Sequence, residues 1–276
     1  MKTIKHILYF ASALSLFLIG CSEDFLETPP RGKATEESFY TNMEAAEAAV
    51  IAAYAELVIP QAMDIPFFMG MGCIASDNAE AGGKSTTDWE ELQAFDRLTH
   101  TGAEASVELP WGYIYKGIYF CNFALEKLPI IKKDVDTEEQ AIIDIRIGEV
   151  QFLRGLYYFL LTRAYGGVPK VTEPLAVSEF EMPRSTVKEI YELIEEDLLD
   201  AINVLPEKDQ LDAVGRASKG AAKALLAKTY LYESSYAKNY PGDAPLWQCA
   251  GTLGRCPAVC GRSNGLRKIR VGGFKR

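Results

Sequence analysis

Few side chains in this 276-residue sequence have the types and spacing that catalysis or metal binding requires. His6 lies in the apolar N-terminal segment, so His100 is the single histidine in the rest of the chain. One imidazole cannot build a His-rich metal site, and the sequence contains no HExxH, P-loop or GxSxG pattern. We therefore predict no metal site, no cofactor and no catalytic residue, and we expect His100 to be a solvated loop residue.

Carboxylates are the remaining catalytic candidates. The 38 acidic residues leave a glycosidase-like pair open, but chance pairs are expected in so acidic a chain. Glu149 and Arg154 lie five residues apart on a predicted helix. With Arg146 and Arg163 they are better interpreted as ion pairs between packed helices than as catalytic groups.

Cys21 has the clearest chemical role, because of the residues before it. Lys2 and Lys5 precede an apolar run over 7–19, which is the layout of a secretory signal at residues 1–20. The sequence Leu-Ile-Gly-Cys at 18–21 resembles the bacterial lipobox, in which the Cys thiol is alkylated with diacylglycerol and begins the mature chain. Acyl chains contribute about 0.8 kcal/mol per buried CH₂ and would hold a domain on a bilayer. An ordinary cleaved signal with an incidental cysteine is the alternative.

The residues directly after Cys21 are polar and acidic, Ser-Glu-Asp at 22–24. This change favours the lipoprotein interpretation. Acidic residues at this place also resemble the signal that sends Bacteroidota lipoproteins to the outer face of the outer membrane. We expect an extended segment over 21–40 and a lipid-anchored location on the outer membrane that faces the exterior.

The distribution of charge excludes one class of partner. The whole chain has 29 basic and 38 acidic residues, whereas residues 21–246 hold 20 basic and all 38 acidic ones, a net charge of −18. So acidic a body repels phosphate backbones, and we expect no nucleic-acid partner. No apolar stretch reaches the roughly 20 residues of a membrane-spanning helix.

Residues 247–276 differ sharply from this body. They contain seven Lys or Arg, no acidic residue, and cysteines at 249, 256 and 260 whose spacing fits no standard zinc pattern. We interpret this atypical basic tail as translation in another reading frame, with a natural basic tail as the alternative. Restoring one base in the nucleotide sequence should recover a helical, acidic continuation if the first explanation holds.

Apolar periodicity and helix-end signals predict an all-α body over 41–246. A capping box at Thr41 opens an Ala-rich helix through Val58, which Pro60 ends. Residues 61–104 form a loop-rich segment with room for one short helix. The next helix ends before Pro129 and carries a stripe at spacings of 4, 3, 4 and 3, formed by Trp111, Tyr115, Ile118, Asn122 and Leu125.

Three further helices complete the predicted bundle. A capping box at Thr137 opens one helix, which reaches Tyr165 before Gly166 supplies a left-handed C-cap. A capping box at Thr186 opens the next, and Ser218 begins a last helix that reaches about residue 236. The last two helices form an antiparallel hairpin similar to a tetratricopeptide repeat, although that signature is not matched position by position.

Five separated segments, in order behind the lipobox, resemble one family, the SusD/RagB nutrient-binding lipoproteins of Bacteroidota outer membranes. They start at Cys21, Trp111, Gly148, Pro183 and Gly215, and they read CSEDFLETP, WGYIYKGIYFCN, GEVQFLRGLYYF leading to YGGVP, PRSTV and GRASKGAA. Each segment alone is a weak signal. Together they extend the resemblance over roughly 21–240.

The resemblance implies an α-helical protein built around tetratricopeptide-like repeats with long loops and anchored by lipid at the cell surface. Such a protein covers a SusC-type TonB-dependent transporter and helps to capture glycans, or sometimes peptides, for import. Family members are usually much longer. The chain therefore resembles an N-terminal half, with a partial SusD-like domain over 41–246.

Trp89 is the residue that we predict to bind an oligosaccharide. A sugar site needs an exposed aromatic side chain flanked by polar groups, and Trp89 lies among polar residues in the loop-rich segment. The resemblance implies that this region contributes to a glycan platform, with Asp77 and Asn78 as polar candidates. The alternative is that Trp89 packs against the helix bundle. Trp111, on a periodic stripe, is predicted to be core.

Three functions are compatible with these observations. We favour a surface lipoprotein that binds oligosaccharide and passes it to a transporter without breaking bonds. A tetratricopeptide-like surface adaptor that binds only proteins, and a lipid-anchored glycoside hydrolase that uses paired carboxylates, are the alternatives. In such an extracytoplasmic setting Cys73 and Cys121 could form a disulfide or be buried free thiols.

Overall fold

The computed structural model describes residues 41–58, 68–85 and 87–239. The predicted signal at 1–20, the lipidated Cys21, the extended segment at 21–40, Pro60 and the tail at 247–276 lie outside these residues and stay predictions. The described residues are mostly helical and contain no strand, so the all-α prediction is confirmed.

Six α-helices build the described part of the chain, and successive long helices pack side by side. Helix α3 packs against α1 and α4, α4 against α5, and α5 against α6, which is the arrangement of stacked helical hairpins. None of these helices is long and apolar enough to cross a membrane. Their bounds are α1 Met43–Ala55, α2 Glu90–Asp96, α3 Ala105–Ile131, α4 Thr137–Tyr165, α5 Val187–Val204 and α6 Lys219–Asn239.

Three helix ends follow the predicted signals. At the start of α5, Thr186 Oγ1 accepts the N–H of Glu189 at 3.2 Å, and the Glu189 carboxylate accepts the N–H of Thr186 at 2.7 Å. At the start of α6, Ser218 Oγ accepts a backbone N–H three residues further on. Gly166 ends α4 with a φ of 72°, which glycine adopts without strain, although its ψ of −132° lies outside the left-handed helical region.

Two predicted capping boxes are wrong by one residue. Asn42, not Thr41, caps α1, because its Oδ1 accepts the N–H of Ala45 at 3.0 Å. Asp136, not Thr137, caps α4 in the same way, by accepting the N–H of the third helical residue at 2.9 Å. Asn and Asp cap helices at least as well as Thr, and here each one directly precedes the Thr.

Helix α3 continues past the point where Pro129 was expected to end it. Pro129 is exposed and lies in the last turn, and the helix continues for two residues beyond it. The N–H of Lys132 still donates to the carbonyl of Leu128 at 3.0 Å. The prediction of an earlier end is therefore wrong.

Two glycines allow the central helices to approach closely. A Cβ on Gly117 of α3 would overlap the Cζ end of the Tyr157 ring of α4, and a Cβ on Gly148 of α4 would overlap the side chain of Val204 in α5. Tyr157 is fully buried, and its hydroxyl donates to the carbonyl of Ala53 in α1 at 2.7 Å. This tyrosine therefore connects α1, α3 and α4.

A buried ionic network connects α1 and α4 to the segment before α6. Arg146 donates to Glu47 at 2.5 Å and to Glu149 at 2.8 Å, and it also pairs with Asp212. Arg216 donates to the second oxygens of Glu47 and Glu149, at 2.5 and 2.8 Å. Burial raises the pKa of the Glu149 carboxyl, and the two guanidiniums oppose that shift. The structural interpretation of Glu149 and Arg146 is confirmed.

A second buried pair joins α4 to α5 and α3. Arg154 donates to both oxygens of Asp197, at 2.8 and 2.7 Å, and to Asn122 Oδ1 at 3.0 Å. Asn122 in turn donates to the carbonyl of Val171, which holds the loop after α4 against α3. Burial raises the pKa of Asp197, and the Arg154 guanidinium opposes that shift. Arg154 therefore has the structural role that was predicted for it.

A candidate ligand-binding groove

Trp89 lies directly before α2, with a left-handed backbone (φ 49°) that is uncommon for a residue with a side chain. Its side chain is 60% exposed, so it does not pack against the helix bundle. Below it, Leu92 and Phe95 of α2 are buried against Ile74. Such a conformation persists only where the surrounding structure imposes it, and α2 is anchored by this small core.

The loop before Trp89 is held by its own hydrogen bonds. Asp88 Oδ2 accepts the N–H of Lys84 at 2.6 Å, and the Gln93 side chain donates to the carbonyl of Gly82 at 2.6 Å. Gly82 and Gly83 have φ values of 65° and 105°, which only glycine adopts without strain. The loop therefore presents Trp89 on a defined support.

A groove of about 680 Å³ lies beside Trp89. The exposed indole offers an apolar face on which a sugar ring can stack, and the carboxylates of Asp88 and Glu80 can accept hydrogen bonds from hydroxyl groups. This combination suits a polyhydroxylated ligand. The lining residues are Met69, Cys73, Ile74, Ala79, Glu80, Ala81, Gly82, Gly83, Asp88, Trp89 and Leu92.

Asp77 and Asn78 are exposed and lie in the turn that follows a π-helical stretch at 68–74. The residues on either side of this turn line the groove, whereas Asp77 and Asn78 do not. Their role in binding stays a prediction. Sequence reasoning included Asp88 only among the polar residues around Trp89 and missed Glu80, although both lie close along the chain to the glycine pair.

The two described cysteines are free thiols, so they form no disulfide with each other. Cys73 is exposed and lines the groove, whereas Cys121 is buried in α3. The expectation of buried thiols is therefore right for Cys121 and wrong for Cys73. Burial raises the pKa of the Cys121 thiol. His100 is exposed, as predicted, and its ring packs against Phe95.

Trp111 is half-buried and lines a second groove of about 530 Å³, so the prediction that it belongs to the core is wrong. It lies near the start of α3 at the level where α4 ends, with its ring 5.2 Å from that of Tyr165. The guanidinium of Arg184 lies 5.4 Å from the same ring. Because α4 ends at Tyr165, the side chain of Trp111 is only partly covered.

The second groove is predominantly aromatic and aliphatic. Tyr115 donates its hydroxyl to the carbonyl of Pro169 at 2.8 Å, and burial raises its pKa. Lys116, on the groove wall, is paired with Glu56 at 2.8 Å. With these two groups engaged, the carboxylate of Glu173 is the remaining charged group that lines the second groove, whereas two carboxylates line the groove at Trp89. Among the described residues no group of His, Cys, Asp and Glu is arranged to hold a metal ion.

A stack of helical hairpins that carries a loop with an exposed tryptophan defines a helical-repeat protein. The chain belongs to the SusD-like family. Residues 24–231 match the sequence profile of this family, described as "Starch-binding associating with outer membrane". The resemblance inferred from the five sequence segments is therefore confirmed.

Two SusD-like proteins of Formosa agariphila are 30% and 32% identical to the chain over 93% and 73% of its length. The matches cover 47% and 38% of those proteins, so the chain spans half or less of the length of these curated relatives. Among solved structures, a laminarin-binding SusD-like protein is 31% identical with a TM-score of 0.63, over 82% of this chain and 44% of that one. Surface glycan-binding protein A from Bacteroides uniformis is 26% identical with a TM-score of 0.61, over 81% and 47%.

Proposed function

We propose that the protein is a cell-surface, glycan-binding lipoprotein that acts with a SusC-type TonB-dependent transporter in nutrient uptake across the outer membrane, and that it catalyses no reaction. The observation that carries this proposal is the exposed Trp89 beside a polar-edged groove. Membership of a family described as starch-binding and outer-membrane-associated supports it. So do the similar proteins whose names refer to laminarin and surface glycans.

Binding is proposed to combine stacking with hydrogen bonding. The C–H face of a sugar ring lies on the Trp89 indole, while hydroxyl groups on its rim donate to Asp88 and Glu80. Asp77 and Asn78, in the neighbouring turn, are available to a longer oligosaccharide. A ligand held this way needs no bond-breaking group, and it can dissociate towards a transporter.

Membrane attachment is proposed to occur through Cys21. Cells fed radiolabelled palmitate should label the wild-type chain and leave Cys21→Ser unlabelled. Equal labelling of both would contradict a lipid anchor at this residue. Copurification with a large outer-membrane barrel tests the transporter partner separately.

Calorimetric titration with laminarin and with soluble starch tests the sugar site. Trp89→Ala should weaken binding about tenfold, because an aromatic contact contributes roughly 0.5–1.5 kcal/mol beyond the area that it buries. Phe180→Ala is the matched control, since Phe180 is 64% exposed but lines the second groove. Loss of binding in the control alone would move the site to the second groove.

The same titration, followed by an assay for released reducing ends, separates the alternative functions. Release of reducing ends from either polysaccharide would support a carboxylate-dependent hydrolase. Absence of sugar binding together with specific binding to protein partners would support a surface adaptor. Binding without product release is the result expected here.

A further inference from the structure

We infer that the groove at Trp89 selects uncharged glycans and excludes glycans that carry uronate or sulfate groups. The inference rests on the proposed glycan-binding function and specifies the ligand class of that same groove. It follows from the sign of the charges around the groove and from the kind of hydrogen-bonding groups that line it.

The charged groups at the groove are nearly all negative. Two carboxylates, Asp88 and Glu80, are among the lining residues, and no Lys or Arg is. Asp77, Glu90 and Glu91 add three carboxylates in the stretch 77–91, where Lys84 is the only cation. An anionic sugar would therefore approach a surplus of like charge.

The hydrogen-bonding groups of the groove lead to the same conclusion. A carboxylate accepts hydrogen bonds and cannot donate them. Asp88 Oδ2 is occupied by the N–H of Lys84, while Asp88 Oδ1 and the Glu80 carboxylate have no partner among the described residues. Sugar hydroxyls can donate to these oxygens in charge-assisted bonds, whereas a uronate or sulfate group can only accept. The residues that line the groove thus favour a ligand that donates hydrogen bonds.

Because Glu80 is exposed and Asp88 is only half-buried, the effect should depend on salt. The Debye length is about 10 Å at 0.1 M ionic strength and about 3 Å at 1 M, so added salt should screen repulsion across the groove. Stacking on Trp89 and hydrogen bonds from hydroxyl groups are far less sensitive to salt. Salt should therefore relieve the exclusion of anionic glycans without changing the binding of neutral ones.

The test uses glycan pairs that differ only in charge. Laminarin and amylose are each compared with a form oxidised at the primary alcohols to uronates, by calorimetric titration of the full chain in detergent. At low salt we expect the oxidised form to bind about tenfold more weakly or worse than its neutral parent. The difference in affinity between the neutral and the oxidised glycan should become smaller at 1 M NaCl.

Matched charge variants assign the effect to the groove. The triple variant Asp77→Asn, Glu80→Gln and Glu90→Gln should reduce the difference in affinity between neutral and oxidised glycans at low salt. A control removes three exposed carboxylates on other helices, Glu138→Gln, Glu192→Gln and Glu196→Gln, and changes the net charge equally. This control should leave the difference in affinity between neutral and oxidised glycans unchanged.

The possible failures are distinguishable. Equal or tighter binding of the oxidised glycans at low salt would overturn the inference and leave the proposed glycan-binding function intact. Equal effects of the groove variant and the control would also overturn it, because the exclusion would then come from net charge. Absence of binding to any of the four glycans would overturn the proposed function and the inference with it.

Discussion

Substitution of Gly117 by alanine should destabilise the protein, although alanine is the better helix former. Gly117 lies inside α3, where alanine alone would stabilise the helix by about 0.5–1 kcal/mol. The new Cβ, however, would overlap the Cζ end of the Tyr157 ring. Tyr157 is fully buried and bonded to the Ala53 carbonyl, so its ring cannot move without losing packing and that bond.

The size of the effect follows from these opposing contributions. Overpacking in a core costs about 1–3 kcal/mol, and loss of the tyrosine hydrogen bond costs about 1 kcal/mol more. We therefore expect the free energy of unfolding to fall by about 1–3 kcal/mol after the gain in helix propensity is subtracted. Gly112→Ala is a matched control in the same helix, because a Cβ there meets no atom within 4 Å.

Urea unfolding of both variants, followed by circular dichroism, measures the difference. Gly112→Ala should unfold at a urea concentration equal to or higher than that of the wild type, and Gly117→Ala at a lower one. Tyr157→Phe should account for the hydrogen-bond part alone. A Gly117→Ala variant as stable as Gly112→Ala would refute the close contact between α3 and α4.

Three further predictions concern the buried pair, a helix cap and the cysteines. Arg154→Ala should lower the free energy of unfolding by about 3–5 kcal/mol, because it leaves Asp197 buried without its partner; chemical denaturation checks this. A hydrogen bond from the backbone at the start of α5 lowers the pKa of Glu189 in the folded protein. The ionised Glu189 therefore stabilises the fold at pH values above its pKa in the unfolded chain, and this stabilisation is lost as the pH falls through its pKa in the folded protein. The difference in Tm between wild type and Glu189→Ala should accordingly shrink between pH 7 and pH 3; a constant difference would contradict the pKa shift. Under native conditions a thiol reagent should modify Cys73 and leave Cys121 unmodified, as mass-spectrometric peptide mapping can establish, and a bulky adduct at Cys73 should weaken glycan binding.

Features set by neighbouring residues were predictable from the sequence. The capping box at Thr186, the serine cap at Ser218 and the glycine stop at Gly166 depend on interactions within one turn, and all three are found. The errors at Thr41 and Thr137 have the same local origin, since adjacent residues compete for one cap.

Features that depend on distant parts of the chain were not predictable. Helical periodicity placed Trp111 in the core because it shares a stripe with Ile118, yet α4 ends at this level and leaves the tryptophan half-buried. Asp197 looks like one more acidic residue of α5, but it is buried and paired with Arg154 of another helix.

The candidate site likewise has one part that the sequence predicted and one part that depends on the fold. The exposure of Trp89 was one of two predicted outcomes, and the structure selects it. The groove beside it is formed by residues from 69 to 92, whose meeting depends on the fold of the glycine-rich loop and on the burial of α2. A single sequence contains no direct signal for such a cavity, so the place of Glu80 and Asp88 in its lining could be recognised only from the structure.

The ionic network around Glu149 has a consequence for the order in which the chain acquires its structure. Glu47 of α1 is bonded to Arg216, a residue 169 positions later. During synthesis from the N-terminus, α1 emerges long before this partner exists and cannot close its final contacts. For a protein whose residues 1–20 are predicted to be a secretory signal, such late closure leaves the ionic contacts of α1 incomplete until Arg216 has been synthesised.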